Sequence, residues 1–194
     1  MRKIILATVL TVGILLSANA QKIEFGIKAG VNFASLSGDG GDGFDGRTSF
    51  HIGGILNYEI SEKFAIQPEL LYSAQGATFD DIFDDNFVDE GDDATFRLDY
   101  INIPVLADYT FAEGFSAQLG PQFGFNVNSE VEFNGDTEDA DGFETFDIGI
   151  AGGFQYILEQ GVFFQARYAL GLKDIAQDAD SKNSVLALSV GYKF

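Results

Sequence analysis

Residues 23–33 read Ile-Glu-Phe-Gly-Ile-Lys-Ala-Gly-Val-Asn-Phe, a run in which Ile23, Phe25, Ile27, Ala29, Val31 and Phe33 alternate with Glu24, Gly26, Lys28, Gly30 and Asn32. An extended chain points successive side chains to opposite sides, so a period of two makes this a strand with one apolar and one polar face. The pattern returns in Phe50, Ile52, Leu56, Tyr58 and Ile60, then, after a turn at Ser61-Glu62-Lys63, in Phe64, Ile66, Leu70 and Tyr72. Ile101, Ile103, Val105 and Tyr109 lead through Glu113-Gly114 into Phe115, Leu119, Phe123, Phe125 and Val127. A third hairpin joins Phe146, Ile148, Ile150, Phe154, Tyr156 and Leu158 to Val162, Phe164, Tyr168, Leu170 and Leu172, and a last strand carries Leu186, Leu188, Val190, Tyr192 and Phe194.

That makes eight strands whose connections alternate between short turns and long loops, the long ones at about 37–47, 78–94, 128–144 and 173–182. Short turns at one end and long loops at the other belong to an up-and-down barrel of the outer-membrane kind. An even strand number then places both chain ends on the periplasmic side and the four loops outside the cell.

Periodicity alone does not say which face is inside; volume does. The apolar face carries 39 large side chains, whereas an eight-stranded barrel holds about a dozen packed side chains. The apolar face therefore points outward, to lipid. The other face fits a narrow interior: it is rich in glycine, with Gln67, Gln75, Gln118, Gln122, Gln155 and Gln165, and with Glu24, Lys28, Glu59, Glu69, Arg97, Asp147, Arg167 and Lys193 available to pair. Buried charges must be paired, so the lumen reads as plugged. Aromatic residues near the strand ends, such as Phe25, Tyr109, Phe115 and Tyr156 toward the turns and Phe33, Phe50, Tyr72 and Phe125 toward the loops, form two expected interfacial girdles.

One strand resists the pattern, because Phe96, Leu98 and Tyr100 are out of phase with Ile101, Ile103 and Val105. A bulge near Tyr100 would reconcile them. Pro104 and Pro121 remove ladder donors within strands, so pairing defects are expected beside them.

The N-terminus carries its own signal. Arg2 and Lys3 precede an uncharged apolar run, 4–16, which ends in Ser17-Ala18-Asn19-Ala20. The run is too short for a spanning helix and closes on an Ala-x-Ala pattern, as in a cleaved secretory signal peptide. The expectation is a Sec-exported precursor with a signal at 1–20 and one barrel domain at 21–194. The chain has no cysteine, which removes disulfides, an acylated N-terminal Cys and thiolate metal sites. Its net charge is −19, which argues against nucleic acid as a partner.

The stretches Phe25-Gly26-Ile27-Lys28-Ala29-Gly30-Val31-Asn32-Phe33 and Tyr100-Ile101-Asn102-Ile103-Pro104-Val105-Leu106-Ala107-Asp108-Tyr109, with the terminal Gly191-Tyr192-Lys193-Phe194, resemble the PorT-type outer-membrane barrel family. The architecture is similar to that of the OmpA/OmpX-type small barrels of Gram-negative bacteria. The resemblance covers the mature chain and implies the same fold and location. That family usually carries a larger residue and a Glu or Lys where Asn102 and Asp108 stand here. Its founding member assists protein secretion, but no motif in this chain carries that role over. The ending Tyr192-x-Phe194 resembles the signal read by the barrel assembly machinery.

Acidic residues concentrate in the loops, which hold 21 of the 30 against Arg47, Lys173 and Lys182. Asp136, Glu138, Asp139 and Asp141 before Gly142 offer oxygen ligands to a divalent cation such as Ca²⁺ or Mg²⁺. The EF-hand spacing is absent, since a bidentate Glu six positions after the glycine is replaced by Ile148. Solvated loops that hold such ions loosely, with no dedicated cofactor, are the plainer reading. Phe83 and Phe87, apolar among the charges of the second loop, are candidate contacts for a surface partner.

His51 is the only histidine, so a histidine-based enzyme has one possible base, with Ser35, Ser49 and Asp99 as neighbours to consider. A hydrogen-bonded lumenal histidine is the commoner arrangement. The reading is thus a non-enzymatic barrel with a structural or surface-interaction role, with a narrow pore or a barrel enzyme using His51 as alternatives.

Overall fold

The computed structural model describes residues 23–37, 44–79, 94–133, 136–140, 142–175 and 181–194. The signal at 1–20, Phe83, Phe87 and Asp141 lie outside the described residues. Strands are β1 (Ile23–Ser37), β2 (Phe44–Ser61), β3 (Phe64–Phe79), β4 (Ala94–Ala112), β5 (Phe115–Phe133), β6 (Asp136–Asp139), β7 (Phe146–Ile157), β8 (Val162–Gly171) and β9 (Lys182–Lys193).

Each wall strand pairs antiparallel with the next, and β9 returns to pair with β1 from Gly26↔Lys193 to Ser37↔Lys182. The result is a closed eight-stranded meander, whose wall has no edge strand. The ninth strand, β6, stands outside that count. It is a short hairpin on the end of β5, with Glu130↔Asp139 through Phe133↔Asp136. Pattern reading places this segment in a loop because its residues are charged; the ladder extends because Ala94 to Asp99 of β4 pair with Asn128 to Phe133 of β5. Among the described residues no helix is long and apolar enough to cross a membrane.

The two faces separate as the period of two requires. Ile27, Leu70, Leu119, Phe154 and Leu188 are exposed on the outside, while Lys28, Asn32, Gln67, Glu69, Gln118 and Arg167 are buried inside. Aromatic rings meet near both ends of the wall: Phe115 with Tyr156 at 4.3 Å and Tyr192 with Phe194 at 5.3 Å toward the turns, Phe125 with Phe146 at 5.3 Å and Phe50 with Tyr72 at 5.8 Å toward the loops.

Tight turns are set by Gly114 and Gly161, whose φ of 74° and 89° few other residues adopt without strain. Gly191 serves a different purpose. A Cβ there would lie 2.2 Å from the ring of Phe163, a fully buried aromatic that fills the bore near the turn end. Glycine is what lets that ring approach β9 so closely.

Two expectations need correction. The register shift does occur beside Tyr100, but the extra residue is Val127 on β5, between Asp99↔Asn128 and Tyr100↔Asn126. β4 itself keeps its alternation, so Leu98 and Tyr100 point inward together with Asn102 and Leu106, and all four are buried. It follows that Arg97 is not lumenal: it sits on the opposite face, half-exposed, paired with Glu132. Around the prolines, the β4–β5 ladder passes from Pro104↔Gln122 to Ala107↔Leu119 with a gap, whereas β5 and β7 stay paired through Pro121↔Ile150. The β3–β4 ladder has a second gap there, from Pro68↔Val105 to Leu71↔Asn102, so the expected pairing defects do fall beside Pro104.

Candidate functional site

The bore is narrow enough that side chains from opposite walls meet. Glu69 of β3 is its centre. Its Oε1 accepts from Gln67 Nε2 at 2.8 Å and Arg167 Nη2 at 2.6 Å, and its Oε2 from Arg167 Nη1 at 2.7 Å and Lys28 Nζ at 2.8 Å. A carboxylate with four donors has its acceptor capacity filled. The bidentate Arg167 fork from β8 also fixes the plane of the carboxylate.

The glutamines carry the network across the remaining gap. Lys28 donates to Gln165 Oε1 at 2.8 Å, Gln165 donates to Gln118 Oε1 at 2.7 Å, and Gln118 donates to Asp108 Oδ2 at 2.6 Å. Strands β1, β3, β4, β5 and β8 are thereby tied through one connected set of hydrogen bonds. Toward the turns the bore widens into a vestibule of about 250 Å³ lined by Glu24, Asn57, Glu59, Asp108, Ser116 and Lys193.

Toward the loops the next layer contains His51. Asn32 Nδ2 donates to the carbonyls of Phe50 and Ala74, at 3.2 and 2.8 Å, which turns its Oδ1 toward His51 Nδ1 at 2.8 Å. His51 Nδ1–H is therefore the donor to Asn32, and Nε2 accepts from Ser189 Oγ, also at 2.8 Å. The partners are Asn32 and Ser189, not the expected Ser35, Ser49 or Asp99; Ser49 donates instead to the carbonyl of Ala74. A hydroxyl, an imidazole and an oriented amide stand in the order used to activate a nucleophile. The adjoining cavity is about 30 Å³, however, against the roughly 300 Å³ or more of a small-molecule site. His51 and Asn32 border that space and Ser189 does not, and the three satisfy one another's buried polar groups.

Above this layer the mouth is covered by apolar groups. Leu98, Tyr100 and Ile175 form a buried cluster with Leu36 and Phe143 packed against it, and Phe143 meets Phe96 edge-on at 5.9 Å. Ile175 is held there by backbone bonds from Glu144 N to Ile175 O and from Ile175 N to Ser181 O. Beneath it Asn183 Nδ2 donates to Tyr100 Oη at 3.3 Å and to Asp147 Oδ2 at 3.2 Å. Sequence reading misses Ile175 and Phe143. Each is an apolar residue inside a charged loop, the same signal that singles out Phe83 and Phe87.

Of the candidate cation ligands, Asp136, Glu138 and Asp139 lie on β6 and are exposed. Strand alternation puts Asp136 and Glu138 on one face and Asp139 on the other, opposite Glu130. Among the described residues no group of three His, Cys, Asp or Glu is placed to hold a metal ion. Tyr192 near the end of β9 and Phe194 just past it are both exposed on the outside, and Phe194 N donates to Phe25 O at 2.8 Å.

The family model described as outer membrane protein beta-barrel domain matches residues 19–177. The chain belongs to that family. The apolar outer wall therefore faces the lipid of an outer membrane. Among solved structures the chain is similar to Neisserial surface protein A, at 16% identity over 88% of this chain and 97% of that one, with a TM-score of 0.58. It is also similar to Ail, the attachment invasion locus protein of Yersinia pestis, at 16% identity over 88% and 98% of the two chains, with a TM-score of 0.53. A second Ail structure, in complex with the heparin analogue sucrose octasulfate, gives 17% identity over 89% and 99%, with a TM-score of 0.54. At such identities these likenesses describe the fold alone. A search of curated proteins gives no match.

Proposed function

We propose that this protein is a closed, non-enzymatic outer-membrane barrel that works through its loops, as a structural element or a surface contact. The observation that carries the reading is the Lys28–Glu69–Arg167 network and its glutamines, which occupy the bore from wall to wall. With the bore taken up, the loops are the parts left to act.

In this reading the signal at 1–20 directs export, both ends of the barrel chain are periplasmic and the four long loops are extracellular. Tyr192 and Phe194 present the final-strand signal to the assembly machinery, and the finer kinship is with PorT-type barrels, without a secretion role. The loop carboxylates, Asp136, Glu138, Asp139 and Asp141 included, screen the surface and associate loosely with Ca²⁺ or Mg²⁺. Phe83 and Phe87 are the contact candidates.

Charge narrows the partner. The loops carry 21 Asp and Glu against Arg47, Lys173 and Lys182, so a polysulfated ligand of the kind bound to Ail would be repelled. A cationic or apolar surface is favoured instead. Limited proteolysis of whole cells tests the topology: cuts confined to 78–94 and 128–144 are expected, with the barrel left intact. Cleavage at Ser61 to Lys63 in intact cells would invert the topology and remove the proposal.

A further inference from the structure

The fixed charges at the middle of the bore do not cancel. Lys28 and Arg167 face one carboxylate, Glu69, and the side chains of all three are at least 96% buried, with exposures of 2%, 4% and 0%. Asp108 is one glutamine removed, through Gln118, and lines the turn-end vestibule with Glu24, Glu59 and Lys193, on the far side of the network from His51. His51 has both nitrogens engaged as a neutral imidazole would, so it supplies no negative charge. In direct contact, two cations therefore meet a single carboxylate, an imbalance that is unfavourable in a buried site.

Donors are left over as well. Lys28 directs two of its three N–H groups to Glu69 and Gln165, and the buried Nε of Arg167 has no partner. Both residues border the same cavity of about 30 Å³, whose other polar walls are Asn32, His51, Ser73, Gln75, Asn102 and Gln122. A water needs about 10–15 Å³ measured in this way, so the space suits about two waters or one ion of chloride size. Water would satisfy the donors, whereas an anion would also face the two cations that share one carboxylate.

We propose that this cavity is a lumenal site for one chloride-sized monovalent anion, held by Lys28 and Arg167. The inference rests on the closed bore, but its test does not use conductance, so failure of one leaves the other separately decided. Sulfate and phosphate are too large for the space.

The barrel folded in detergent is heated in sodium chloride, sodium bromide, sodium sulfate or sodium gluconate at matched ionic strength, and crystals grown in bromide are read for anomalous scattering. A site tenfold saturated by chloride or bromide raises the unfolding midpoint by about 3–6 °C over gluconate. A bromide peak is expected between Lys28 and Arg167. Asn102→Asp, which supplies a covalent anion in the cavity wall, and Lys28→Gln, which removes one of the two cations, are each expected to abolish both effects. Equal midpoints in chloride and gluconate, equal stabilisation by sulfate, or a cavity holding water alone in bromide would overturn the proposal. If neither variant folds, the position of bromide in the wild-type protein decides it.

Discussion

Replacing Glu69 by Gln is expected to lower the unfolding free energy of the barrel by about 3–5 kcal/mol, measured by urea titration in detergent micelles or thin bilayers. The geometry explains the size. Glutamine matches the shape of glutamate but offers one acceptor oxygen in place of two, and it leaves Lys28 and Arg167 buried together without the carboxylate that receives both. Desolvation that the ion pairs offset in the native protein then stands uncompensated. Removing all three charges at once, as Lys28→Met, Glu69→Met and Arg167→Met in one protein, is expected to recover most of that loss. Well-packed apolar replacements of buried ions are often neutral, and residues sharing one network are not additive. If Glu69→Gln alone costs under about 1 kcal/mol, the range of an exposed pair, the network is open to water and the closed bore is wrong.

On the outer wall, Val190→Arg is expected to cost about 2–4 kcal/mol in bilayers, the range for Arg at the midplane of a lipid-facing strand. Val190 is 50% exposed and pairs with Ala29, halfway between the aromatic positions Phe25 and Phe33 of β1. In water the same substitution at so exposed a position would stay within about 0.5 kcal/mol. Gln160→Arg, in the exposed turn between β7 and β8, is the matched control and is expected to change little. Urea titration of both variants reassembled in vesicles separates the two environments, and equal costs at the two positions would mean that the outer wall is not immersed.

The sequence states the barrel clearly because three independent signals agree. Alternation gives strands, alternating loop lengths give the meander, and the surplus of bulky apolar groups says which face looks out. The lumenal set is legible for the same reason: Lys28, Glu69, Gln118, Gln165 and Arg167 are polar residues in the phase opposite a lipid face. Which of them meet is not legible, since contacts across the bore depend on stagger between strands that share no local sequence signal. Ser189 is the plain case, a serine in the last strand that reaches His51 from 138 positions away.

β4 shows how pattern reading goes astray. Leu98 and Tyr100 are apolar yet point inward, because at the mouth they cover the bore together with Ile175. An apolar-out rule holds only within the lipid band, and beyond it apolar residues are free to form a small soluble-type core. The bulge inferred from the phase change exists, but the residue that absorbs it is Val127 on the neighbouring strand.

A narrow cylinder whose centre is spanned by one saturated carboxylate and its donors should not carry ions. Single-channel recording of the purified barrel in a planar bilayer tests this most directly. The structure predicts no steady current above that of the bare bilayer, and regular stepwise openings of constant size would contradict it.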